Sequence, residues 1–318
     1  MAVIYGGKNM SIKSNIRESL KSILPFHWVY GKKAKQILQS HQEVAQYWDS
    51  LIAKYQHDEV PHYTYRPKVS LPPRKVIWQY WGQGVESEAL PKVVRYCFDS
   101  VDKYAGDFEV IRLTDKDFTH YLDIPEEILQ KVQSGEMRRV FFSDLLRVML
   151  LATYGGIWLD ATILMTAPFP KELMVGDHFC YQRDSREPYI SIWKKSFIYY
   201  FSWHSQFQVN MLNSILWSKE GSEMMIVLSD LLQYYWLHEA APKEYFFFQI
   251  LYNRLVTGDY QRLRPQIVSD CPPHILHMLV RGARLPYTSK YALEHSTLHK
   301  LTYFTDREMD RMNQLLSK

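Results

Sequence analysis

The sequence predicts an α/β protein with a largely parallel sheet covered by helices on both faces, and three observations predict it. Short apolar runs of strand length alternate with longer runs of helical period through the middle of the chain, the pattern left by strand–helix crossovers. A glycine pair, Gly155-Gly156, divides a helical run from the strand-like Ile157-Trp158-Leu159. A chain of 318 residues with 47% hydrophobic side chains supplies a sizeable core, enough for one large domain with an appendage or for two domains.

Residues 1–70 read as a polar, basic, helical extension. Up to position 75 the chain holds 12 Lys and Arg against 5 Asp and Glu, whereas the whole chain carries a net charge of only +4. Ile12, Ile16, Leu20, Ile23 and Leu24 share one helical face, and Lys13, Arg17 and Lys21 share a neighbouring one. That arrangement suits an interfacial helix on an anionic membrane, and equally a surface helix docked on the rest of the protein. Pro61, Pro67, Pro72 and Pro73 then break the pattern and mark a linker ending near Leu71.

The main domain, residues 71–318, opens with a strand over residues 74–80 and a helix over 90–104 with Pro91 in its first turn. A second strand is expected over residues 108–113, with Thr114 capping a further helix. Phe141, Leu145, Val148, Met149 and Ala152 recur at helical spacing as far as Tyr154, and Gly155 reads as a left-handed cap. The buried strand that follows delivers Asp160 at its C-terminal end, the edge where open α/β sheets bind ligands. Beyond Phe169 the pattern is coarser: residues 221–238 and 244–256 read as helices bounded by Gly221, Pro242 and Gly258.

Asp144, Arg147 and Asp160 carry charge into a stretch otherwise built for a core. Asp144 and Arg147, three apart on a helix, either pair with each other or serve a ligand: a carboxylate accepts from adjacent sugar hydroxyls, and a guanidinium offers a planar fork to phosphate or hydroxyl oxygens. Asp160 either caps the next turn or works at the sheet edge.

The ordered set Ser143-Asp144-Leu145-Leu146-Arg147 and Gly155-Gly156-Ile157-Trp158-Leu159-Asp160-Ala161-Thr162 resembles the core of the capsular polysaccharide synthesis glycosyltransferases, relatives of the DXD-containing, sugar-nucleotide-dependent transferases. Upstream, the segment from Val76 through Trp78, Gln79, Tyr80 and Trp81 to Gly84 resembles that family's first strand and loop, and Leu90-Pro91 with Cys97 and Ser100 its next helix. The resemblance covers roughly residues 71–170 well and the rest weakly.

It implies a GT-A-type nucleotide-sugar-binding fold and a retaining hexosyltransferase. The implied donor is a UDP-linked glucose or galactose, and the implied acceptor is a polyprenyl-diphosphate-linked oligosaccharide at the inner face of a bacterial membrane. By the same resemblance Asp144, Arg147 and Asp160 are the catalytic set. Ser143, Asp144, Arg147, Asp160 and Thr162 stand on the donor side, and Asn213 and Glu244 on the acceptor side, where either is equally an ordinary cap. Asp160 sits where the DXD motif begins and is the expected ligand of a divalent cation, Mn or Mg. Thr162 replaces the second Asp, so Asp160 either holds that metal with help from elsewhere or binds ribose or sugar hydroxyls itself. Late residues fit the first option: His295 as a metal ligand, with His299 and Lys300 at the diphosphate; a solvated surface loop is the plain alternative. In Trp78-Gln79-Tyr80-Trp81, strand alternation sends Trp78 and Tyr80 to the core and Gln79 and Trp81 towards a uracil.

Several classes are disfavoured. No Gly-x-Gly-x-x-Gly follows the first strand, which argues against a dinucleotide oxidoreductase. The basic excess is confined to the N-terminal arm without a recognised motif, which argues against nucleic acid. Cys97, Cys180 and Cys271 form no Cys-x-x-Cys and no even set, which suits a reducing cytoplasm. The longest apolar run contains Asp160 and the glycine pair, so no transmembrane span is expected, and no secretory signal is visible. A non-catalytic nucleotide-sugar-binding component of an assembly complex is the alternative function.

Overall fold

A computed structural model describes residues 26–72, 75–86 and 90–317, with residues 26–30 described by backbone alone. The Ile/Leu and Lys/Arg faces expected within residues 12–24 lie outside the described residues.

Helix α1 (Phe26–Gln56) carries Ile37, Val44, Ala45, Trp48, Leu51, Ile52 and Tyr55 along one face, with His41 between the first two, and all are buried. This single apolar stripe needs a partner surface. It finds one in the main core, which the stripe shares with the sheet, and the Trp48 indole Nε1 donates to the Phe247 carbonyl at 2.9 Å. The linker is also fastened: the Tyr55 and Tyr65 hydroxyls donate to the two oxygens of the buried Asp230 at 2.7 and 2.6 Å.

Then follow β1 (Val76–Tyr80), α2 (Lys92–Tyr104), β2 (Glu109–Leu113), α3 (Glu126–Gln133), α4 (Arg139–Tyr154), β3 (Gly156–Leu159) and β4 (Ile163–Met165). The second half supplies β5 (His178–Gln182), α5 (Ile190–Ser196), β6 (Met211–Ser218), α6 (Glu223–His238), α7 (Phe247–Thr257), α8 (Pro272–Val280), α9 (Ser289–His295), β7 (Leu298–Lys300) and α10 (Asp306–Leu316).

The main sheet has the order β2-β1-β3-β6-β5. β1 runs parallel to β2 and β3, while β6 is antiparallel to β3 and β5, so four strands share a direction and β6 alone reverses. Every residue of β1 and β3 is buried. Because successive side chains point to opposite faces, both faces of the sheet are covered. A second apolar cluster joins α2, β4, α8 and α10 through Val94, Cys97, Leu164, Leu276, Leu301 and Met312. β4 and β7 form their own antiparallel pair, with Ile163 opposite Lys300.

The glycine pair has two distinct jobs. Gly155 lies at φ 66°, ψ −157°, so it is not the left-handed helical cap expected of it. It occupies an extended positive-φ conformation open essentially to glycine alone, and its carbonyl accepts from Trp78 Nε1 at 3.0 Å. Gly156, at φ 95°, brings β3 against β1: a Cβ there would stand 2.5 Å from the Val76 carbonyl oxygen. Thr114 also departs from expectation. Asp117 accepts from its backbone N–H at 2.7 Å, closing a turn that leads only into a 3-10 segment, Phe118–His120; α3 begins later, after Pro125.

Candidate active site

Parallel β1 and β3 end at the same edge of the sheet, and the charged residues gather where β3 ends. α4 brings Ser143, Asp144 and Arg147 to that edge, β3 leads into Asp160, and β6 passes Asn213 beside them. The backbone fixes Asp160 firmly: its N–H donates to the Ser214 carbonyl and its carbonyl accepts from Ile163, both at 2.9 Å.

Arg147 is the hub. One guanidinium nitrogen, Nη1, stands 2.6 Å from Asp144 Oδ1. The other, Nη2, donates to Ser143 Oγ at 2.8 Å and to Asp160 Oδ1 at 3.3 Å. The guanidinium also lies over the rings of Trp158 and Phe248, 5.2 and 5.9 Å from their centroids. Its side chain is only 3% exposed, yet Nε has no acceptor among the described residues. A buried donor without a partner is costly, and a ligand oxygen would relieve it.

The two carboxylates are held in different states. Burial pushes Asp144 up to about 6, and the charge of Asp160 adds to this, while Arg147 and the Asn213 amide, 2.9 Å from Oδ1, oppose it. Asp160 also suffers from burial, but Lys300, Arg147 and the Trp158 indole hold its carboxyl down at about 2. Lys300 Nζ donates to Asp160 Oδ2 at 2.9 Å and to Thr162 Oγ1 at 3.1 Å. Trp158 Nε1 donates to Asp160 Oδ1 at 2.9 Å. Asp160 is therefore a fully ionised anion between two cations, and Asp144 is a carboxyl poised near neutrality.

The structure thus brings together Ser143, Asp144, Arg147, Asp160, Thr162, Asn213 and Lys300. Asn213, expected on the acceptor side, donates to Asp144. Trp81 stays half-buried at the end of β1, its ring 6.4 Å from that of Tyr303, on the edge shared with Asp160. Four other residues make their contacts elsewhere. Gln79 is fully buried and its amide oxygen accepts from Arg112 Nε at 3.0 Å; with both sheet faces covered, the face opposite Trp78 is interior too. His299 neighbours Lys300 on β7, so its side chain points the other way, to Thr166 Oγ1 at 3.3 Å, and burial lowers it to about 4. His295 bonds the Tyr291 carbonyl at 2.9 Å and stacks on the Tyr291 ring, one turn back on α9. Glu244 accepts from the Phe246 backbone N–H in the turn just before α7, and burial pushes it up to about 7.

Three residues were missed. Trp158 read only as strand interior, although an indole can also donate. Phe248 and Tyr245 sit at the start of α7, where nothing local signals a partner 100 residues away. Tyr245 is raised first by burial and then by the charges of Asp144 and Asp160, which places it beside them.

A divalent cation, as the DXD pattern implies, meets a poor donor set here. Among the described residues no three of His, Cys, Asp and Glu gather at one point. Both oxygens of Asp160 are taken by N–H donors, Thr162 offers a neutral hydroxyl, and an ammonium stands between them. These residues do not fit a resident metal ion.

The chain matches the family described as "Capsular polysaccharide synthesis protein" over residues 29–318, and belongs to it. No curated protein matches the chain. Among solved structures it is similar to "PaToxG Glycosyltransferase", at 16% identity and a TM-score of 0.35, over 89% of this chain and 96% of that one.

Proposed function

We propose that this chain is a glycosyltransferase of capsule assembly. It moves glucose or galactose from a UDP-hexose to a polyprenyl-diphosphate-linked oligosaccharide, with retention of configuration, on a GT-A-type nucleotide-sugar fold. The observation that carries the reading is the Asp144–Arg147–Asp160 cluster: three charges, two of them buried and Asp160 partly exposed, gathered where a parallel strand ends and left with an unpartnered guanidinium N–H. Membership of the capsular polysaccharide synthesis family supports it.

In the reaction, the bond between the anomeric carbon and the β-phosphate oxygen breaks, and its electron pair leaves with UDP. The acceptor hydroxyl oxygen bonds to that carbon from the same face, and its proton passes to the departing diphosphate or to solvent. No protein nucleophile is required. Arg147 and Asp144 act at the sugar, the guanidinium holding the carboxylate in place and Asp144, once ionised, accepting from sugar hydroxyls; the mechanism is positioning with preorganised charge. Trp81 offers a ring for the base.

The lipid-linked acceptor and the basic arm within residues 1–70 point to work at the inner face of the membrane. Among the described residues no helix is long and apolar enough to cross one.

A panel of nucleotide sugars incubated with the purified chain tests the reading. Release of UDP from a UDP-hexose is expected; binding of nucleotide sugars without any turnover, in the presence of oligosaccharide-lipid acceptors, would favour the non-catalytic component instead.

A further inference from the structure

Lys300 reaches the cluster from a distant part of the chain, 138 residues after Thr162, because β7 pairs with β4. An ammonium has three N–H donors. Asp160 Oδ2 takes one at 2.9 Å and Thr162 Oγ1 takes another at 3.1 Å, which leaves the third without a partner among the described residues. The side chain is 12% exposed, so its charge is fixed in place and only slightly hydrated.

A divalent ion bound to Asp160 Oδ2 would sit about 2.0–2.2 Å from that oxygen, sharing it with an ammonium only 2.9 Å away. Two positive charges at that separation repel strongly outside bulk water. A metal would have to compete with Lys300 for the one carboxylate, and Thr162 supplies no second one to offset the repulsion. With Arg147 on the other oxygen of Asp160, the centre already holds two fixed cations for an incoming diphosphate.

Resting on the transferase reading above, we infer that Lys300, held by Asp160 and Thr162, is the cation that neutralises the donor diphosphate, and that transfer by this chain needs no divalent metal. Asp160 is then a positioning residue that aims Lys300, and the unused ammonium N–H meets a phosphate oxygen as the leaving group takes on charge.

The test uses the purified full chain with UDP as the binding probe and UDP-hexose as the turnover probe, each in excess EDTA and in Mn²⁺. Wild type is expected to bind UDP and release it from donor equally, within about twofold, in both conditions. Lys300→Met should weaken UDP binding at least tenfold, with no recovery in Mn²⁺, while Lys300→Arg keeps most of it; thermal melts show that the variants are folded. UDP binding by wild type that falls more than tenfold in EDTA and returns with Mn²⁺ overturns the inference while leaving the transferase reading intact. So does a folded Lys300→Met protein that binds UDP normally. Absence of UDP binding in either condition overturns the transferase reading together with it.

Discussion

Arg147→Met removes the cation 2.6 Å from Asp144 at a point where both side chains are nearly buried. Lys300 still balances Asp160, so the damage falls on Asp144. Burial already lifts Asp144 from 3.8 to about 6, a shift that converts at about 1.36 kcal/mol per unit to about 3 kcal/mol for keeping it ionised at neutral pH. Removing one partner of a buried pair typically costs about 3–5 kcal/mol, and the variant should lose that much at about pH 8. The loss should shrink at about pH 5. A carboxyl whose folded-state pKa lies above its unfolded value binds its proton in the folded state first, so stability falls as pH rises through that window and levels off above it. Without Arg147 the window extends further upward, and at about pH 5 Asp144 is protonated and needs no partner. Urea unfolding followed by tryptophan fluorescence at the two pH values measures both losses. Arg147→Met combined with Asp144→Leu should regain most of the stability at about pH 8, because no charge is then left alone. Equal losses at both pH values, or a double variant no more stable than Arg147→Met, would refute this reasoning.

Gly156→Ala should destabilise by about 2–3 kcal/mol or more, since positive φ and a Cβ 2.5 Å from the Val76 oxygen act together, whereas Gly221→Ala, at positive φ with open space around it, should cost only about 1 kcal/mol in the same melts. Turnover should fall on the acidic side with a midpoint near Asp144's value of about 6, while Asp160, at about 2, stays ionised throughout. Glu244→Gln should leave that limb in place and Asp144→Asn should remove it from the residual rate; a limb that vanishes with Glu244→Gln belongs to Glu244 instead. Deleting residues 1–25 should reduce binding to anionic vesicles, and equal binding by the truncated protein would refute a membrane role for that arm; Trp48→Ala should cost about 3–5 kcal/mol because its indole is fully enclosed and bonded to Phe247. A Trp48→Ala protein as stable as wild type would contradict the packing described for α1.

The first half of the sheet was legible because its signals are local. The apolar runs of β1, β2 and β3 and the helical spacing in α4 place those elements within about two residues of their bounds, and the position of Asp160 follows from them. Other features depend on pairing between distant segments. β6 runs antiparallel to β3 through Ile215–Ser218, a direction nothing local marks, and polar residues in Met211-Leu212-Asn213-Ser214 interrupt its apolar pattern. Alternation correctly separates Gln79 from Trp78, but only the completed fold shows that both faces of β1 are covered. His299 and Lys300 are adjacent and chemically alike as candidates, and the β4–β7 register alone sends Lys300 to Asp160 and His299 into the interior. Gly155 was legible as a stop, while its extended conformation is set by the carbonyl it offers to Trp78.

The central claim is that Asp160 and its partners are the working centre of a sugar-nucleotide transferase, and UDP release from a UDP-hexose by wild type and Asp160→Ala, beside thermal melts of both, tests it most directly. The account predicts a folded variant whose rate is lower by roughly 10²–10³, the usual effect of losing one preorganised electrostatic group. A folded Asp160→Ala protein that releases UDP within about threefold of the wild-type rate, well short of that range, would contradict it.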